Sequence, residues 1–142
     1  MLYNFFEKNK FLSVYAPLIV YWLILFTATT LPAKQVPKTG INDKIEHLLG
    51  YFLLTFLLSN VLFFQNKNKI LKRFPISIAL LIAAFYGIVD ELHQLFIPGR
   101  LCDFYDWTAD VTGALAAGIL YFLIKKYFQS RSLSGQKTNL EN

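Results

Sequence analysis

Four long apolar stretches, separated by short polar segments, account for most of this chain. Residues 11–31 contain no charged side chain, and apolar side chains dominate 43–64, 75–97 and 106–128. A helix needs about 20 residues to cross the roughly 30 Å hydrocarbon core of a bilayer, at about 1.5 Å per residue. Each stretch meets that length, so the pattern predicts four membrane-spanning helices over these ranges.

Prolines and glycines mark the ends of these helices. Pro32 follows the first apolar stretch and begins a segment rich in Pro, Gly and Lys. Pro75 suits the first turn of the third helix, because the N–H group that proline lacks would have no partner there. Pro98 and Gly99 form a turn pair that closes the third helix.

The predicted fold is all-α: one four-helix transmembrane domain over 1–128, followed by a short disordered polar tail over 129–142. The composition agrees, since 55% of the residues are hydrophobic and the mean hydropathy is +0.41. A cleaved signal peptide over 11–31 is the alternative for the first helix. That stretch exceeds the usual apolar core of about 7–15 residues, and no A-x-A site follows it, so a retained helix is predicted.

Basic residues are distributed unevenly between the two predicted membrane faces. Ten of the 14 lysines and arginines lie near the N-terminus, between the second and third helices, or after the fourth helix. Because positive charge marks the cytoplasmic side, both termini are predicted to be cytoplasmic. The net charge of +5 is explained by these flanking residues, so nucleic acid is not expected as a partner.

Acidic residues show the opposite bias. Seven of the nine acids, together with both histidines, fall at the predicted outer ends of the second, third and fourth helices. A charge at the centre of a bilayer is disfavoured by about 2.5–3.5 kcal/mol on insertion scales, and by less near the interface. These side chains should therefore face the interior of the bundle or a wet cavity, which makes them the candidates for function.

The second helix carries Asp43, His47 and Tyr51 at i, i+4 and i+8, so the three share one face. Asp43 is predicted to cap the helix, with Glu46 completing the capping arrangement. His47 lies one turn inside. It either forms a hydrogen bond with a carboxylate or acts as a general base or ligand, since imidazole titrates near neutral pH.

The end of the third helix carries Asp90, Glu91 and Gln94. Negative charges at a helix C-terminus oppose the helix dipole, so a compensating group is expected. Arg100, just after the turn, is predicted either to fold back and pair with these carboxylates or to contact an anionic group of a bound ligand. One arginine cannot neutralise them all, and the surplus could be relieved by proton uptake, a cationic substrate group or a metal ion.

The fourth helix begins with Asp106 and Asp110, one turn apart, where the dipole favours them. Asp106 could simply cap the helix, whereas Asp110 is too deep for that role. Carboxylates with one imidazole suit Mg²⁺, Mn²⁺, Ca²⁺ or Zn²⁺, but the spacing matches no metal signature, so the cofactor stays unknown. Trp107 is predicted to lie in an interfacial aromatic belt.

Three blocks of these residues resemble the VanZ-like family of small bacterial integral membrane proteins. The blocks are D-K-x-x-H-x-x-x-Y from Asp43, D-E-L-x-Q-x-F-x-P-G-R from Asp90, and D-x-x-x-N/D-x-x-G from Asp106. The family pattern often has Asn where Asp110 stands. The resemblance implies a bacterial cytoplasmic membrane and a role in the cell envelope, and the family is named for a link to teicoplanin resistance.

The sequence and the resemblance together predict an envelope protein whose outward-facing polar site binds a membrane lipid or a lipid-linked cell-wall intermediate, with a link to glycopeptide antibiotic resistance. One alternative is a membrane-embedded hydrolase or transferase that acts on an envelope lipid, with or without a metal. Another is a purely structural bundle whose polar cluster seals the helix ends. The predicted binding residues are Asp43, His47, Tyr51, Asp90, Glu91, Gln94, Arg100, Asp106 and Asp110.

Overall fold

The computed structural model describes residues 9–36 and 40–138, with side chains as far as residue 131. The described part is all-helical and has no strand. The helices are α1 (Phe11–Thr30, of which Phe11–Tyr15 is a π-helix), α2 (Asp43–Phe64), the short α3 (Lys69–Arg73), α4 (Pro75–Gln94) and α5 (Phe104–Thr138). Residues 1–8, 37–39 and 139–142, which belong to the predicted domain, outer loop and tail, lie outside the described residues.

The four long helices span most of the predicted ranges, and the differences lie at their ends. α1 stops at Thr30, because the following Leu31 is extended, as the residue before a proline prefers to be. α4 stops at Gln94, and residues 95–99 form turns that end in Gly99, whose φ of +78° favours glycine. α5 continues to Thr138, ten residues past the predicted end at 128.

Two predicted caps are replaced by neighbouring residues. Asn42, not Asp43, caps α2, and its side-chain oxygen accepts a hydrogen bond from the Lys44 N–H at 2.9 Å. At α5, Asp103 takes the place expected for Asp106, since its carbonyl accepts from the Asp106 N–H at 3.0 Å. The physical reason is that α2 begins one residue earlier, and α5 three residues earlier, than the predicted cap requires, so Asp43 and Asp106 lie inside the first turn.

Small side chains bring α2, α4 and α5 together. Ala79, Ala83 and Ala117 are fully buried between these helices. At Gly113, a Cβ atom would lie only 2.0 Å from the backbone oxygen of Leu48, so the backbones of α2 and α5 touch there. Helices in lipid associate mainly by such close packing, because burial from lipid provides no hydrophobic driving force.

α1 packs on the outside of this three-helix unit. The Tyr21 hydroxyl donates to the Gly50 carbonyl at 2.9 Å, and Leu18 and Leu25 pack against the core near Tyr51. Large apolar side chains such as Leu81, 71% exposed, cover the outer surfaces. The four long helices are each long and apolar enough to cross a bilayer, so the chain is a multi-pass integral membrane protein.

Candidate functional site

Five polar side chains are buried at one end of the bundle, where the first turns of α2 and α5 meet the last turns of α4. We call this region the polar end. The exposed fractions of the five lie between 0% and 5%. The structure brings together here Asp90, Glu91, Gln94, Asp106 and Asp110. Buried carboxylates are rare unless they are paired or bind a ligand, so the polar end is the candidate site.

His47 on α2 faces two carboxylates of α5. Its Nδ1 atom lies 3.0 Å from Asp110 Oδ1, and its Nε2 atom lies 4.0 Å from Asp106 Oδ2. The His47 side chain is 10% exposed, and that of Asp110 is fully buried. A carboxylate on one ring nitrogen fixes the orientation of the imidazole and defines which nitrogen faces a proton, ligand or metal ion.

Asp43 and Tyr51 share a helix face with His47 but meet different surroundings. Asp43, one turn towards the end of the bundle, is exposed. Tyr51, one turn deeper, is 1% exposed, and its ring lies 6.1 Å from the ring of Tyr86 on α4. The predicted face therefore runs from the surface into the core, and His47 occupies its middle.

Lys44, which was not among the predicted binding residues, joins two acids of the α5 end. Its Nζ atom donates to Asp103 Oδ2 at 2.6 Å and also to Asp106 Oδ1. This ammonium group holds the pKa of Asp103 below its ordinary value. Lys44 belongs to the D-K-x-x-H block, which was the available signal, but a lysine at a helix end is usually interpreted as a topology marker.

Glu91 connects the end of α4 to the beginning of α5. Its Oε2 atom accepts from the Asp103 backbone N–H at 2.8 Å, and its Oε1 atom accepts from Gln94 Nε2 at 3.4 Å. Both contacts are with neutral donors. Glu91 is 3% exposed, so its charge is buried without an ion pair among the described residues.

Arg100 does not form the predicted pair with the carboxylates. Its guanidinium donates instead to the carbonyls of Leu31, at 3.3 Å, and Ala28, at 2.9 Å. The last carbonyls of a helix have no partner within the helix, and they carry the negative end of its dipole. The turn after α4 brings Arg100 next to that end of α1, so the arginine fastens α1 to the bundle.

Several polar atoms at and below the polar end are buried without a hydrogen-bond partner in the described part of the structure. They are Asp90 Oδ2, Asp110 Oδ2, and the hydroxyls of Tyr51 and Tyr86. A Cβ atom on Gly87 would lie 3.1 Å from Asp110 Oδ2, so the missing side chain leaves room for that oxygen against α4. Unpartnered buried polar atoms are costly, and in native proteins they often mark a place for a ligand, water or ion.

Two overlapping groups at the polar end have the ligand atoms and spacing to hold a metal ion. One consists of Asp43, His47 and Asp106, and the other of His47, Glu91 and Asp110. Within each group, one atom per residue lies within 4.8 Å of the others. The second group is the more buried, and it joins three different helices.

An apolar groove of about 360 Å³ opens beside the polar end, and we call it the side groove. It is lined by Ile88, Glu91, Leu92, Cys102, Asp103, Phe104 and Trp107. Trp107, which was expected in an aromatic belt, donates its indole N–H to the Ala84 carbonyl at 3.1 Å and so ties α5 to α4. The groove offers apolar walls with Glu91 and Asp103 among its lining residues.

Comparison with known proteins places this architecture in a family. The family model described as VanZ/LLP1 matches residues 3–125, which include all three sequence blocks. An uncharacterised protein of the yeast Schizosaccharomyces pombe is 29% identical over 123 residues, which cover 87% of this chain and 69% of that protein. No solved structure matches. Because the family model covers most of the chain, the protein belongs to the VanZ/LLP1 family.

Proposed function

We propose that this protein binds the polar headgroup of a membrane lipid, or of a lipid-linked cell-wall intermediate, at the polar end. The observation that carries the proposal is a group of buried carboxylates beside an apolar groove, in which only Asp110 contacts a basic side chain, that of His47, among the described residues. We call Asp90, Glu91 and Asp110 the carboxylate cluster. Lys44 and Arg100 are engaged elsewhere, by Asp103 and Asp106 and by the end of α1.

The chemistry of the two parts suits a lipid. Carboxylate oxygens accept hydrogen bonds from hydroxyl and amine groups, which sugars and amino headgroups provide. The side groove can take the first part of a hydrocarbon chain between Leu92 and Trp107. Since Glu91 lines the groove and belongs to the carboxylate cluster, it would be the first polar contact of the headgroup.

The location of this binding is also a proposal. The lysine and arginine distribution supports cytoplasmic termini, which would direct the polar end outward in a bacterial cytoplasmic membrane. The relative from Schizosaccharomyces pombe comes from a eukaryote, so that similarity gives the bacterial location no support. The link to glycopeptide resistance depends on which lipid is bound, and identifying that lipid comes first.

The test is a substitution that fills the side groove. Leu92→Trp adds volume at a groove residue that is 52% exposed, and Leu123→Trp is a matched control at a 54% exposed position on α5 outside the groove. Both variants are purified in mild detergent, and the co-purified lipids are quantified by mass spectrometry. We expect Leu92→Trp to remove most of a lipid species that wild type and Leu123→Trp retain. Equal lipid profiles in all three proteins would refute the proposal.

The hydrogen bond between His47 and Asp110 favours a second candidate, a membrane-embedded hydrolase or transferase acting on an envelope lipid. In such an enzyme the carboxylate orients the imidazole, and the imidazole acts as a general base. Incubation of the purified protein with a panel of envelope lipids, with and without divalent metal, tests this. Turnover that is lost in His47→Gln would establish it, and no turnover under either condition would argue against it.

A further inference from the structure

We propose that His47, Glu91 and Asp110 form a site for one divalent metal ion, of the class that accepts one imidazole and carboxylate oxygens, such as Mn²⁺ or Zn²⁺. These three residues come from α2, α4 and α5, and they are far apart in the sequence. One potential ligand atom from each lies within 4.8 Å of the other two. The inference goes beyond lipid binding and does not depend on it.

The buried oxygen of Asp110 is the observation that points to a ligand at this place. Asp110 is 0% exposed, and its Oδ2 atom has no hydrogen-bond partner among the described residues. This atom lies against Gly87, which precedes Glu91 by one turn on the same face of α4. Asp110 Oδ2 therefore faces the side of α4 that carries Glu91, where a metal ion would satisfy it.

The charges around the cluster support a cation as that ligand. Glu91 and Asp110 are both carboxylates, with Asp90 close by, and His47 can supply at most one positive charge. The two stronger cations beside the cluster have other partners: Lys44 binds Asp103 and Asp106, and Arg100 binds carbonyls of α1. A buried surplus of negative charge is costly, and a divalent ion would offset it.

The alternative group, Asp43 with His47 and Asp106, has weaker support. Asp43 is exposed, and the charge of Asp106 is already offset by the Lys44 ammonium group, whereas Glu91 accepts hydrogen bonds from neutral donors. Asp106 is also too far from the ring for a hydrogen bond, since its Oδ2 atom lies 4.0 Å from His47 Nε2. Three protein ligands leave coordination positions on the metal ion open. The phosphate of a lipid headgroup could occupy such a position, because the cation offsets the repulsion from the surrounding acids.

Titration of the purified full-length protein with Mn²⁺, after treatment with a chelator, tests the site. Free Mn²⁺ is followed by electron paramagnetic resonance, and Zn²⁺ is titrated separately by calorimetry. We expect one ion per chain in wild type. Glu91→Gln should weaken binding by more than the roughly 10–100-fold that is usual for loss of an outer carboxylate. Asp43→Asn, the matched control from the alternative group, should bind like wild type.

Three outcomes would overturn the proposal: no Mn²⁺ or Zn²⁺ bound by wild type, wild-type affinity in Glu91→Gln, or loss of binding in Asp43→Asn. Asp110→Asn is expected to behave as Glu91→Gln, and circular dichroism shows whether each variant is folded. If Asp110→Asn does not fold, Glu91→Gln alone decides the matter. The metal titration uses no added lipid. A negative result would therefore refute the metal site without deciding whether the protein binds lipid, which the Leu92→Trp experiment tests separately.

Discussion

The middle of the bundle and its polar end are built in opposite ways. In the middle, Ala83 and Ala117 are fully buried and the helices meet with the smallest side chains. At the polar end, Asp110 is just as buried, but one of its oxygens has no hydrogen-bond partner among the described residues. Close packing stabilises helices in lipid, whereas unpartnered buried carboxylates destabilise them. The comparison assigns the support of the fold to the middle, and it is the reason for proposing the polar end as a binding site.

Gly113 lies where the two regions meet, and its substitution should have the largest effect. A Cβ atom there would lie 2.0 Å from the Leu48 backbone oxygen, so Gly113→Ala must separate α2 from α5. Overpacking usually costs about 1–3 kcal/mol, and because the obstacle here is backbone, we expect about 3 kcal/mol or more. The separation should also break the contact between His47 and Asp110. Reversible unfolding in mixed micelles measures the loss of stability.

Gly118→Ala is the control for that substitution. Its added Cβ would meet Ile76 Cγ2 at 3.1 Å, and a side-chain atom can move away at a smaller cost than backbone. We expect Gly118→Ala to remain folded with a clearly smaller loss of stability. If both alanine variants lost the same stability, the packing of the middle would not depend on the close approach at Gly113.

Arg100→Ala should have the next largest effect on stability. This substitution also tests whether Arg100 serves the attachment of α1 or the polar end. Loss of its hydrogen bonds to Leu31 and Ala28 should reduce the free energy of unfolding by about 2 kcal/mol, as expected for bonds from a charged donor. Hydrogen exchange should rise at the C-terminal end of α1. A loss of lipid binding without any change in α1 would instead assign Arg100 to the headgroup.

The helices could be predicted from the sequence because a bilayer requires about 20 apolar residues in a row, and few soluble folds mimic that pattern. Asp90 and Asp110 could be predicted to lie at the same end of the bundle, because successive membrane-spanning helices run in opposite directions. The partner of Arg100 could not be predicted in this way, because it depends on how the turn after α4 meets an uncapped end of α1. The sequence feature that pointed to this contact is the end of α1 before Pro32, where the last carbonyls of the helix need hydrogen-bond donors from elsewhere.

The contact between Gly113 and Leu48 could not be predicted from the sequence either. Glycines in the first half of a membrane helix are typical of close packing with a neighbouring helix, but the identity of that neighbour depends on rotation and crossing angle. The role of Lys44 was hidden for a similar reason: its two partners, Asp103 and Asp106, lie about 60 residues away on another helix end. Composition and spacing identify the polar groups, and three-dimensional packing selects their partners.

Asp90→Asn should have a smaller effect on stability, with the opposite sign. Asp90 is 3% exposed, and its Oδ2 atom has no partner in the described structure. An amide of nearly the same shape removes the buried charge, so we expect the free energy of unfolding to rise by about 1 kcal/mol. Asp43→Asn is the control, because Asp43 is exposed in the first turn of α2, and its loss should give no gain. A destabilised Asp90→Asn would mean that the polar end supports the fold after all.

The smallest expected effect concerns pH and the rim of the polar end, where Lys44 binds Asp103. The ammonium group lowers the pKa of Asp103 in the folded protein below its ordinary value of 3.8. The contact therefore adds stability above that value, and this stability is lost as the pH falls through the folded pKa. Asp103→Asn should be less stable than wild type at neutral pH, and the difference should shrink in acid. Thermal unfolding at neutral pH and at about pH 3 measures it. Lys44→Met removes the cause of the pKa shift, so its stability should also approach that of wild type in acid. If the difference in stability between variant and wild type stayed constant with pH, Lys44 and Asp103 would not interact in the folded protein.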